Sequence, residues 1–203
     1  MKSTAKQKPA TNTKDKIIDA TLKVIVDQGL IGISARNIAK VGDFNQALIF
    51  YHFDSINNLL LTSVQRASKA RFDRYRTELE SVSSLVELAK LSNKVRAKKS
   101  EPDSAALAIL AAGWSTNSEL PEKLKEALKP WDDAVKNIVE RIIEGTSISA
   151  IMPSDQIAQM ISALFLGLEM NSRLDKTDEK FVEIFESLET LAGFGDLLLK
   201  KQD

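Results

Sequence analysis

With 203 residues, 43% of them hydrophobic, the chain can bury a sizeable core in one large or two small domains. It contains no cysteine, which excludes a disulfide framework and thiolate metal sites and suits a reducing, cytoplasmic setting. Its 28 basic and 28 acidic side chains cancel, no uncharged apolar run approaches the ~18 residues of a membrane span, and the polar, lysine-bearing start lacks the apolar core of a signal peptide.

Residues 1–12 read as a disordered polar leader, with a phosphate-seeking arm of lysines as the alternative. A first helix is expected over 13–28, with Ile18, Leu22 and Ile25 at helical spacing and Gly29 as its stop. Ser34 can cap a short second helix that turns Ile38 and Val41 inward, and Gly42-Asp43 supplies a turn. Asn45 can then cap another short helix with Leu48 and Ile49 on its buried side, and Phe50 and Phe53 are assigned to the core. Two short helices joined this way form a helix-turn-helix, which presents one helix N-terminus to a DNA major groove.

A fourth helix is expected from residue 54 or 55 to about 80, roughly 37–40 Å, long enough to bridge two domains. Further helical windows cover 84–98, 103–117, 120–144 across Pro130, 154–173 and 177–192, punctuated by Gly145, Pro153 and Gly193. The fold class is therefore all-α. In the last two windows Ile161, Phe165 and Leu168, then Phe181, Phe185 and Leu188, form broad apolar faces. Either a four-helix bundle made by two chains or the core of a monomer accommodates them.

Over residues 14–61 the chain resembles the DNA-binding domain of the tetracycline-repressor (TetR) family of bacterial transcriptional regulators. The resemblance rests on the first amphipathic helix ending at Gln28-Gly29, the hydroxyl-capped helix with Ile38-Ala39, and the run Tyr51-His52-Phe53. It implies a helix-turn-helix domain over 13–61 and a C-terminal helical ligand-binding and dimerisation domain over 62–203. It places Arg36 and Gln46 at positions that reach bases, and Ser34, Tyr51 and His52 where phosphates are held. Asn45 joins them as a helix cap or a base contact. Arg suits guanine O6 and N7, and Gln suits adenine N6 and N7. One departure is Ile56, where members commonly carry a lysine for a backbone phosphate.

The resemblance also implies a homodimer, with Ile161, Phe165, Leu168, Phe181, Phe185 and Leu188 at the interface, and a small-molecule pocket. Candidate lining residues are Phe72, Leu110, Trp114, Trp131, Phe165 and Met170, with Glu169 as a polar contact. Double-stranded DNA, a second copy of the chain and an unidentified small-molecule effector are the expected partners, with no membrane and no cofactor. Charge distribution agrees: residues 1–76 carry 13 basic against 6 acidic side chains, and 77–203 carry 15 against 22.

No Gly-rich phosphate loop, nucleophile elbow or metal-ligand cluster is present, and one histidine limits acid–base chemistry, so no catalytic or metal-binding residues are assigned. The expected function is a ligand-responsive regulator, most simply a repressor released from a palindromic operator. The alternative is an all-helical protein-interaction adaptor, which would use the apolar faces without needing Arg36 and Gln46 outside.

Overall fold

Asn12 opens the first helix by accepting the N–H of Lys14 on its side-chain oxygen, and α1 runs over Thr13–Gln28. It stops where Gly29 adopts a positive φ and donates its N–H to the Ile25 carbonyl. The computed structural model describes residues 12–97, 120–174 and 179–199, and all regular structure among them is helical. After α1 come a 3-10 turn at Leu30–Gly32, α2 over Ala35–Gly42, α3 over Ala47–Phe53 and α4 over Ile56–Ser81. Then follow α5 over Leu85–Ala97, α6 over Leu120–Ile143, the single turn α7 over Ile148–Ile151, α8 over Ser154–Leu174 and α9 over Glu179–Leu198.

The chain divides into two compact units, Met1–Ser63 and Val64–Asp203, with the division inside α4. In the first, α1 packs on α2. Ile17, Val24, Ile38 and Ile49 are fully enclosed, and the buried Thr21 hydroxyl donates to the Ile17 carbonyl at 2.8 Å. In the second, Tyr75, Leu79, Leu88, Leu91, Val95 and Ile138 form the main core, with Ile161 and Phe165 packed against it. A smaller cluster joins Val139 and Ile143 of α6 to Ala158 of α8. Arg141 holds the end of α4, donating to the Glu80 carbonyl at 3.4 Å and to the Val82 carbonyl just past the helix at 3.0 Å.

The last helix departs from the sequence expectation. Gly193 was assigned as a stop near residue 192, yet α9 continues to Leu198. Each interior glycine costs about 1 kcal/mol relative to alanine, and packing on α5 offsets it. A Cβ at Gly195 would lie 2.8 Å from Leu85 Cδ1, so glycine permits the approach of α9 to α5. One residue on, the Asp196 carboxylate accepts the first two N–H groups of α5, from Leu85 at 2.8 Å and Val86 at 3.1 Å. Ser84 Oγ takes the Glu87 N–H. Glu87 in turn accepts the backbone N–H and the hydroxyl of Ser83, and these bonds hold its carboxyl below the usual glutamate value. Because Asp196 satisfies two otherwise unpaired donors with a charge, Asp196→Ala should destabilise the second unit by about 1–3 kcal/mol. Denaturant midpoints measure this, and a shift within experimental scatter would refute the capping role.

Burial also corrects the apolar faces. Phe181 and Phe185 are enclosed within the chain, and the Arg96 guanidinium lies 4.9 Å from the Phe185 ring centre. Ile161 and Phe165 point to the core, and Leu168 and Leu188 are half-buried. The apolar side chains left to solvent are Met160 and Leu164 on α8, and Val182, Leu191, Phe194, Leu197 and Leu198 on α9. Phe181 and Phe185 therefore cannot form a free interface, because their apolar surface is already used inside the unit. The helical window at 103–117 lies outside the described residues, and α7 had no counterpart in the sequence reading.

Candidate nucleic-acid interface and ligand cavity

The turn between α2 and α3 is built by local chemistry. Ser34 Oγ accepts the Asn37 N–H at 3.2 Å and caps α2. At the other end Asp43 takes the left-handed conformation and Phe44 donates its N–H to the Ala39 carbonyl at 3.0 Å. Gly42 is required there, since a Cβ would sit 2.2 Å from the Phe44 ring and 2.8 Å from Ala20. Lys16 Nζ donates to the Asp43 carbonyl at 3.1 Å, tying α1 to the turn. The Asn37 amide bridges Gln28 Oε1 and the Gly32 carbonyl at 2.8 and 2.7 Å. Asn45 Oδ1 then accepts the Ala47 N–H at 2.9 Å, one residue before the N-cap Gln46 of α3.

On α3, Ile49 and Phe53 turn inward while Gln46, Ala47, Phe50 and Tyr51 form an exposed stripe. Arg36 and Gln46 line one open groove with Ala39, Lys40, Asp43 and Phe44. Tyr51 is 80% exposed and meets His52 edge-on at 4.9 Å between ring centres. Ser34, Arg36, Asn45, Gln46 and Tyr51 are thus all exposed, and His52 is half-buried.

Two residues of this surface escaped the sequence reading. Phe50 was assigned to the core and is 48% exposed, one turn beyond Gln46 on the outer stripe. Lys40, exposed and one turn beyond Arg36, adds a second cation to the groove; its i+4 spacing from Arg36 was the available signal. At the start of α4, Ile56 is the first residue, Ser55 Oγ accepts the Asn58 N–H at 3.1 Å and Asp54 is exposed at positive φ.

Residues 17–62 match the model of the bacterial regulatory proteins of the tetR family. These residues form a tetR-family domain. Solved structures agree with the tetR-family fold beyond the matched segment. The fatty acid degradation regulator FadR from Bacillus halodurans is 19% identical, with a TM-score of 0.69 over 93% of this chain and 99% of its own. FadR from Bacillus subtilis, solved with stearoyl-CoA, is 19% identical, with a TM-score of 0.69 over 87% and 96%. A TetR transcriptional regulator from Legionella pneumophila is 18% identical, with a TM-score of 0.68 over 91% and 100%. No match was found among curated proteins. Among the described residues, no helix is long and apolar enough to cross a membrane.

The second unit contains a cavity of about 390 Å³, within the range of small-molecule sites. Its wall includes Leu79, Leu88, Leu91, Val135 and two of the expected lining residues, Trp131 and Phe165. Phe72 stands behind the wall, edge-on to Trp131 at 5.4 Å between ring centres. The Trp131 indole donates to Ser68 Oγ at 3.2 Å, and the buried Ser68 hydroxyl donates to the Ala127 carbonyl at 2.9 Å. These contacts fix the Trp131 ring. Leu110, Trp114 and the side chains of Glu169 and Met170 lie outside the described residues.

Proposed function

We propose that the chain is a cytoplasmic, homodimeric transcriptional repressor that reads a palindromic operator and leaves it when a small molecule fills the cavity. The helix-turn-helix domain would span residues 13–61 and the regulatory domain 62–203. The observation that carries the reading is the exposed groove that joins Arg36, Lys40 and Gln46 at the N-terminal end of α3. Recognition helices present base-reading side chains at that end. Arg36 and Gln46 read bases, Phe50 offers an apolar surface suited to a thymine methyl, and Ser34, Lys40, Tyr51 and His52 hold phosphates.

Two copies must place their α3 helices about 34–36 Å apart, or a multiple of it, to enter successive major grooves on one face. The exposed apolar side chains of α8 and α9 support pairing with a second copy. A ligand then acts by its differential affinity for a helix separation that fits DNA and one that does not. The apolar cavity supports that step, as does the stearoyl-CoA held by the solved Bacillus subtilis regulator.

The test is selection of bound duplexes from a random pool, followed by base-by-base affinity of variants on the enriched sequence. Arg36→Ala and Gln46→Ala should each cost about 1–3 kcal/mol and relax preference at one base pair. Tyr51→Phe and His52→Ala should weaken all sequences alike. Uniform loss in all four variants would refute the base-reading assignment. A pool without enrichment would refute the regulator and favour the protein-interaction adaptor.

A further inference from the structure

The cavity wall contains a positive charge that none of the expected lining residues supplies. Arg71, on α4, is 3% exposed and lines the cavity. Its Nη2 donates to the Val95 carbonyl at 2.8 Å. Among the described residues that neutral carbonyl is its hydrogen-bond partner, and no carboxylate lies within ion-pair distance. A guanidinium carries five N–H donors in a planar fork and stays charged at any physiological pH. Burying one beside a single neutral acceptor is unfavourable, and the arrival of an anion relieves it with short, charge-assisted bonds.

The remaining wall fixes the rest of the ligand. Leu79, Leu88, Leu91 and Val95 are buried beside Arg71, whereas Asp132, Gln159 and Ala163 form the exposed part of the lining. The cation therefore sits on the enclosed side and the one acidic residue on the solvent side. A ligand with several negative charges would meet one guanidinium and the repulsion of Asp132. A ligand with a single charge and a hydrocarbon body meets one guanidinium and an apolar wall.

We propose that the cavity takes an amphiphilic monoanion, its carboxylate on Arg71 and its hydrocarbon part against Leu79, Leu88, Leu91, Trp131 and Phe165. This rests on the ligand-responsive reading above and names the ligand's class. The experiment is calorimetric titration of the full-length protein, without DNA, with sodium decanoate, 1-decanol and decyl phosphate. Decanoate should bind at least about tenfold tighter than decanol, the discrimination expected of a charge-assisted hydrogen bond. Arg71→Met should abolish that preference while decanol affinity holds, and Arg71→Lys should keep part of it. Equal affinity for acid and alcohol in the unmodified protein, or tighter binding of the phosphate, would overturn the proposal and leave an apolar cavity. Failure of all three to bind would overturn the cavity as well. The unmodified protein decides the matter even if Arg71→Met does not fold, and operator binding is judged separately.

Discussion

Leu164→Glu and Phe194→Glu are each expected to give a folded monomer whose operator affinity is about 10²–10⁴-fold below that of the unmodified chain. Leu164 and Phe194 are half or more exposed, on α8 and α9, so a glutamate there can keep its carboxylate in solvent within a single protomer. In a dimer that covers this face the same glutamate becomes a buried, unpaired charge, at a cost of several kcal/mol. The loss at DNA follows from multivalency. A half-site held by one recognition helix presents the second at high effective concentration, and separated protomers forfeit that gain. Phe185→Ala provides the contrast, because that ring is 2% exposed inside the unit. It should destabilise folding by about 3–5 kcal/mol without selectively separating protomers. Light scattering followed by operator titration on the same samples measures both effects. A Phe194→Glu dimer, or a wild-type monomer that binds a palindrome tightly, would refute the pairing.

Operator affinity is also expected to fall by roughly 10³-fold or more between 50 and 200 mM salt, because phosphate contacts release condensed counterions. Arg36 and Lys40 bring cations to the groove, and on the proposed reading Ser34, Tyr51 and His52 add phosphate contacts. Ile56 carries no charge with which to add an ionic contact. Lys40→Ala should flatten the logarithmic salt dependence by about one unit per protomer. Affinity that does not change with salt would refute groove binding by this surface.

The parts of the fold that were legible in the sequence are those set by local chemistry. Ser34 caps α2 through its side-chain oxygen, Asn45 Oδ1 takes the Ala47 N–H at the start of α3, Gly42-Asp43 makes the turn, and α1 begins and ends at Thr13 and Gln28 as its apolar spacing and Gly29 indicate. What failed depends on partners distant in sequence. Helix α3 has seven residues, so apolar spacing alone did not separate Phe53, which faces in, from Phe50, which faces out. Helix α9 is apolar on more than one side, and only packing on α5 decides that Phe181 and Phe185 are inside while Leu191 and Phe194 are outside. Gly193 read as a stop because the compensating approach at Gly195 involves Leu85. Arg71 sits in the basic stretch Arg71, Arg74 and Arg76, where nothing local distinguishes a buried cation from a solvated one.

The bond from Asp196 to the start of α5 spans 111 residues of chain. Closing a loop of that length carries an entropic penalty of about 4 kcal/mol before any contact repays it. Helix α5 therefore lacks its electrostatic cap until the last helix has left the ribosome and docked. Contacts between elements so far apart in sequence slow folding and gather it into a single event. The second unit then folds as one cooperative body, its α5 and α9 docking in the same step.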